Sequence, residues 1–219
     1  MAYLIDDFAR ESNVSRETLE DYQTWHTLLL KWNRKINLVS PAALEEFWRR
    51  HALDSWQITP YIPLKAQNSL DLGSGAGFPA IAMAIDAKYR NTDHQTLMVE
   101  SAGKKASFLR TIIRELNLPA KVTSERAEHL SLQPYDVISA RAFAPLDRLF
   151  NYAQPFWGYE TIGLFLKGEN VDAEIAEAHK SWEYDVESIP SLSDATGCCL
   201  LYTSPSPRDL STSRMPSSA

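Results

Sequence analysis

The sequence predicts an α/β fold, a mostly parallel sheet covered by helices on both faces, with an N-terminal helical appendage. Three observations predict it. Residues 1–62 carry helical periodicity, short β-rich runs alternate with helical segments from residue 69 onward, and a glycine-rich loop follows the first of those runs directly. Strand–helix alternation of this kind gives parallel strands whose crossovers cover both faces.

The chain of 219 residues is long enough for a full core and predicts one domain with an appendage. Hydrophobic residues at 44% and charged residues at 23% are the proportions of an ordinary soluble protein. The opening MAYLIDDFARES is acidic rather than basic and then apolar, and no apolar run approaches the roughly 18 residues of a membrane span. The expected location is the cytoplasm. The net charge of −6 argues against indiscriminate coating of nucleic acid, which draws its affinity from Lys and Arg displacing counterions. A nucleic-acid partner has to be met by local basic patches.

In the appendage, Leu19, Tyr22, Trp25, Leu29, Trp32 and Ile36 recur every third or fourth residue behind Ser15, a side chain suited to capping a helix. Ser40 followed by Pro41 is a second helix start, with Leu44, Phe47, Trp48 and His51 on one face. The β-rich runs lie at 69–72, 96–100, 121–125, 135–140 and 161–166, and the clearest helical pattern between them spans Lys104 to Leu116. Residues 63–197 thus form the main domain. From Cys198 onward the chain turns to Ser, Pro and Thr, with almost no apolar content past Tyr202, so 198–219 reads as a disordered or foreign tail, although Cys198 to Tyr202 are apolar enough to occupy a last strand slot.

In DLGSGAGF, Asp71 precedes glycines at 73, 75 and 77, giving GxGxG rather than the GxGxxG of a dinucleotide site. This loop resembles that of the Rossmann-like class I methyltransferases, in which backbone packs against S-adenosylmethionine and no pyrophosphate has to be cradled. Glu100 closes the next strand, where a carboxylate accepts hydrogen bonds from both ribose hydroxyls. Its competing role is to cap the helix that begins near Lys104. Asp71 is expected nearer the charged end of the ligand. Ala127 and Glu128 follow the third strand, within reach of an adenine edge, although an exposed acidic turn explains them equally.

A transferred methyl group needs an acceptor. The main body has no cysteine, which removes the covalent route to pyrimidine carbon 5 along with any cysteine zinc cage. The fourth strand leads into ISARAFAPL, where exocyclic-amine methylation typically uses an Asn/Asp-Pro-Pro-aromatic loop. A ring nitrogen such as guanine N7 carries a free lone pair and requires positioning alone. Arg141 and Lys167, just past the fourth and fifth strands, suit a phosphate or a guanine O6, or else serve in surface ion pairs. Lys31, Arg34, Lys35, Arg49 and Arg50 interleave with Trp32 and Trp48 as in RNA-binding surfaces, while both tryptophans also fit a core. His51 and Asp54 are spaced to hydrogen-bond and clamp the appendage to the sheet. No third ligand stands near them in sequence, so no metal is expected.

The ordered motifs KWNRKINLVS, RHALDS, DLGSGAGFPAI, ESAGKKASFLR, ISARAFAPL and FLKG resemble those of the RsmG (GidB) methyltransferases of bacteria, over about residues 20–195. The resemblance implies methylation of guanine N7 in 16S ribosomal RNA with S-adenosylmethionine as donor, on naked RNA or the small ribosomal subunit, by a monomer. It also implies cofactor contacts at Gly73, Phe78, Ala127, Glu128 and Arg141, beside the Glu100 read from its place on the second strand. No general base is expected. Where the family closes its sheet with a final strand, this chain has CCLLYTSPSP. The residues alone also admit a class I methyltransferase of small molecules or proteins, a nucleotide-dependent oxidoreductase or a non-catalytic RNA-binding module.

Overall fold

A computed structural model describes residues 2–90 and 93–207. The appendage comprises helices α1 (Ile5–Ser12), α2 (Arg16–Asn33) and α3 (Pro41–Glu45), a wider π-helical turn at Phe47–Leu53 and the short α4 (Asp54–Trp56). Both expected caps form: the Ser15 hydroxyl accepts from Thr18 N–H, and the Ser40 hydroxyl from Ala43 N–H, each at 3.2 Å. Between α2 and α3, the Asn33 carbonyl oxygen accepts from Leu38 N–H at 2.8 Å and Val39 N–H at 3.0 Å, so one amide fixes the turn inside KWNRKINLVS.

Seven strands follow: β1 (Asn68–Leu72), β2 (Gln95–Val99), β3 (Ala120–Thr123), β4 (Tyr135–Arg141), β5 (Trp157–Lys167), β6 (Trp182–Pro190) and β7 (Cys198–Pro207). Helices α5 (Ala80–Arg90), α6 (Gly103–Leu116), α7 (Leu146–Ala153) and α8 (Val171–Ala178) connect them. The sheet order is β3-β2-β1-β4-β5-β7-β6, parallel from β3 through β5, with β7 antiparallel to both its neighbours. The order reverses between β1 and β4, and ligands of such sheets bind at the carboxyl ends beside that reversal.

Alternate residues of the strands feed two cores. On one face Met98 packs with Ile81, Ile85, Phe108 and Ile112 of α5 and α6, and the same cluster takes in Phe8, Tyr22, Trp25 and Leu29 of the appendage. On the other face Leu70, Leu72 and Val99 join Leu149 and Phe150 of α7. The appendage is therefore not a detached arm. The Trp25 ring lies 5.1 Å from Phe78, and Lys88 of α5 bonds Asp21 of α2 at 2.7 Å. Trp48 is buried and Trp32 meets Phe108 edge-on at 5.8 Å, so both tryptophans serve the core.

The sequence reading of 198–219 as a tail outside the fold is corrected for Cys198–Pro207. This stretch fills the slot between β5 and β6, pairing Leu164 with Leu201 and Ile189 with Cys199. The reason is its two-sided apolar pattern: Cys198, Leu200 and Tyr202 enter the core around α7, and Cys199 and Leu201 join a third cluster with Ile58, Met83 and Leu164. Tyr202 is fully buried against Phe150, Phe165 and Tyr184. Burial pushes the Cys199 thiol up to about 12, which leaves it a packing group rather than a nucleophile. Residues 208–219 lie outside the described residues.

Candidate functional site

β1 ends at Leu72 and the chain turns at once through left-handed backbone, with φ of 70° at Gly73 and 93° at Gly77. Side chains are excluded there by space as well as by φ. A Cβ on Gly77 would run into Ile81 and lie 3.1 Å from Leu109 of α6, and a Cβ on Gly73 would enter the Phe143 ring. The loop is tied to the end of β2. Ser74 N–H donates to the Val99 carbonyl at 3.0 Å, and Gly75 N–H to Glu100 Oε2 at 2.9 Å. Glu100 Oε1 accepts from Ala102 N–H at 2.7 Å, just ahead of α6. Glu100 bonds the N–H of the residue ahead of α6 and none of the helix's own first N–H groups, and each oxygen keeps a second lone pair for a ligand donor.

Gly73, Glu100, Ala127 and Glu128 come together around one cleft of about 350 Å³, completed by Val99, Phe143 and others. A cleft of this volume at the sheet's switch point suits a nucleoside-sized ligand. The largely buried Glu100 carboxylate and Ala127 line it, a donor set with the polar groups a nucleoside requires, whereas the space directly over Gly73 belongs to Phe143. Asp71 does not line the cleft. It is fully buried, its Oδ1 accepts from the Ser139 hydroxyl at 2.6 Å, and its Oδ2 has no partner among the described residues. Burial, opposed by the Ser139 bond, lifts its carboxyl to about 7.

The remaining two expected cofactor residues lie elsewhere. Phe78 sits in the appendage core, stacked 4.2 Å from the His51 ring. Arg141 lies over the Phe78 ring, 5.4 Å from its centroid, with Nη1 3.2 Å from Asp54 Oδ2. The expected bond between His51 and Asp54 does not form, because the π-turn directs His51 onto Phe78 while Asp54 reaches Arg141 and the Ser193 hydroxyl. Asp54 still clamps the appendage to the sheet, through a partner that sequence spacing did not reveal. Neither His51 nitrogen has a partner among the described residues, and burial, with the Arg141 and Arg50 cations, lowers the ring to about 3. It is neutral at physiological pH.

Arg141 lines a second cavity of about 510 Å³, together with Arg50, Asp54, Lys167, Glu174 and Asp194 among others. Lys167 is not a free cation: its Nζ donates to the Ala144 carbonyl at 2.8 Å and to Glu174 Oε2 at 2.7 Å. The cavity and the cleft share two lining residues, Ala142 and Phe143, and so adjoin there. On the appendage Lys31, Arg34 and Lys35 are exposed with no ion pair among the described residues. Arg49 holds the Ser193 carbonyl at 3.0 Å and Arg50 meets Glu46 at 3.4 Å. Among the described residues no group of His, Cys, Asp or Glu is placed to hold a metal ion, and no helix is long and apolar enough to cross a membrane.

Known proteins agree with this architecture. The family profile described as rRNA small subunit methyltransferase G (GidB) matches residues 17–197. The Ribosomal RNA small subunit methyltransferase G of Parvibaculum lavamentivorans is 46% identical over 197 residues, covering 89% of this chain and 87% of the relative. That of Cereibacter sphaeroides is 44% identical, covering 83% and 88%. Among solved structures, an O-methyltransferase from Bacillus cereus in complex with SAH superposes with a TM-score of 0.58 at 17% identity, covering 83% of this chain and 91% of that one. At that identity the likeness concerns the fold, which is that of the class I methyltransferases. The cofactor is S-adenosylmethionine, and the chain belongs to the rRNA small subunit methyltransferase G family.

Proposed function

We propose that the chain transfers a methyl group from S-adenosylmethionine to N7 of a guanine in 16S ribosomal RNA, presented as naked RNA or in the small subunit. In this reading Gly73, Glu100, Ala127 and Glu128 line the donor's site, while Phe78 and Arg141, outside its lining, hold His51 and Asp54. One observation carries the choice of atom. The residues common to donor cleft and second cavity are Ala142 and Phe143, and neither side chain can accept a proton where the two meet. An amine or hydroxyl acceptor has to lose a proton on methylation, whereas guanine N7 offers a lone pair and loses none. The donor supplies an electrophilic methyl on sulfonium. The chain's own contribution is to bind, orient and exclude water.

The two cysteines support the same reading. Both sit in β7, buried, and neither lines either cavity, which leaves no thiol for an adduct at pyrimidine carbon 5. In this reading the enzyme acts as a monomer in the cytoplasm and needs no metal. Incubating the protein with methyl-labelled S-adenosylmethionine and 16S RNA or small subunits, then analysing the digested nucleosides, tests it. Label in 7-methylguanosine is the expected result. Label in any other nucleoside refutes the assignment.

A further inference from the structure

Three carboxylates line the second cavity, and of the two with an oxygen that accepts nothing among the described residues, Asp194 and Glu174, only Glu174 is half-buried. Asp54 is occupied on both oxygens: Oδ1 accepts from Ser193 at 2.6 Å and Gln57 at 2.9 Å, and Oδ2 faces Arg141. Asp194 is exposed to solvent, and its Oδ1 turns back onto the N–H and hydroxyl of Thr196 at 2.9 and 2.8 Å. Glu174, its side chain 29% exposed, differs from both. Its Oε2 takes Lys167 Nζ at 2.7 Å and Leu146 N–H at 3.0 Å, while Oε1 accepts nothing among the described residues. The carboxylate is anchored through one oxygen and open through the other, beside a cavity large enough for a nucleoside.

We propose that this cavity receives the acceptor guanine, unstacked from the RNA, and that Glu174 reads its Watson–Crick edge by accepting from N1–H and the 2-amino group. The proposal rests on the guanine-N7 reading above and extends it to the residue that selects the base. Guanine presents two adjacent donors on that edge, and enzymes that extract a base from its stack read it there. N7 lies on the opposite edge of the purine, so a base held by Glu174 keeps its reacting atom free for the methyl group.

The chemistry gives Glu174 a second effect. As the N7 lone pair forms the bond to the methyl carbon, the sulfur–methyl bond breaks and its electron pair stays on sulfur. The sulfonium becomes a neutral thioether, the purine becomes cationic, and no proton moves. Hydrogen bonds from N1–H and the 2-amino group to a carboxylate strengthen as that positive charge develops, so they favour the transition state over bound substrate.

Inosine in place of the target guanosine tests this, because it lacks only the 2-amino group. Single-turnover rates on the two RNAs are compared for the parent protein and for Glu174→Gln. The parent should methylate the guanosine RNA faster by about tenfold or more, the worth of one hydrogen bond to a charged acceptor. In Glu174→Gln the guanosine rate should fall by at least that factor, and the ratio should drop to about one. Merely loosening the Lys167 and Leu146 contacts would lower both rates together and keep the ratio. A preserved ratio in the variant, or a ratio of one in the parent, overturns the proposal, and the parent comparison holds even if the variant does not fold. Failure of the parent to place methyl on N7 of the guanosine RNA would overturn the underlying functional reading as well.

Discussion

Glu100→Gln separates two roles that the structure gives to one carboxylate. The parent side chain accepts from Gly75 N–H at 2.9 Å and from Ala102 N–H at 2.7 Å. A glutamine keeps one acceptor and turns an amino group toward the other N–H, so one charge-assisted bond is lost and a buried donor is left unpaired. The expected cost is about 2 to 3 kcal/mol. For a chain of this size that is a fall of about 4 to 12 °C in the midpoint of thermal unfolding. If the remaining lone pairs hold the ribose of the donor, the variant also loses about 1.5 to 3 kcal/mol of binding, a roughly 10- to 150-fold weaker affinity for S-adenosylmethionine. Differential scanning calorimetry of the free protein and titration calorimetry with the donor measure the two effects separately. A thermal shift without loss of affinity would show that Glu100 only ties the glycine loop to α6. Loss of affinity without a thermal shift would contradict the two amide bonds.

Gly73→Ala should destabilise the fold by about 1 to 3 kcal/mol through left-handed φ and collision with Phe143, and adding Phe143→Ala should recover part of the loss by relieving the collision; urea unfolding of the single and double variants checks this. Asp71, raised from 3.8 to about 7, holds its proton more tightly when folded, so its contribution to stability is fully present below about pH 4 and is lost, on the order of 4 kcal/mol, as pH rises to about 7. His51, lowered from 6.5 to about 3, has the opposite sign and lets stability rise with pH over that interval. Urea unfolding across pH 4 to 7 should therefore show a more positive slope for Asp71→Asn than for the parent, and a more negative slope for His51→Phe. Reversing Arg34 and Lys35 to Glu should raise the KM for RNA and flatten its salt dependence by about 1.4 in log–log slope, leaving S-adenosylmethionine affinity unchanged, because two unpaired cations each release about 0.7 of a counterion from single-stranded RNA.

The strands up to β5 and the glycine loop were legible because they obey local rules. Short β-rich runs alternate with helical periods, and the positive φ at Gly73 and Gly77 demands glycine whatever surrounds it. The caps at Ser15 and Ser40 were legible for the same reason. Of the site, Glu100 and Ala127 could be placed from strand ends alone. What escaped depends on contacts between distant segments. Asp54 lies three residues from His51 yet pairs with Arg141, and Lys167 is held by a helix that begins beyond it. That Ala142 and Phe143 line both cavity and cleft emerges only when β4 and the glycine loop are brought side by side. At β7 the apolar run Cys198 to Tyr202 suited a strand slot, and its residues alternate between two apolar faces, while the Ser/Pro composition after Tyr202 pointed away from the fold. In β6, Trp182, Tyr184 and Val186 alternate with acidic residues, a period-2 pattern that marks the strand.

The central claim, methylation of guanine N7 in the small-subunit RNA, is tested most directly in a cell that lacks its own member of this family. Mass spectrometry of 16S RNA from that cell, with and without this chain expressed, reports both the modified nucleoside and its place in the sequence. One 7-methylguanosine, absent from the deficient cell, should reappear with the chain and disappear again when Glu100→Gln weakens donor binding at limiting S-adenosylmethionine. A soluble, folded chain that restores no methyl group, or restores one on another atom, would contradict it.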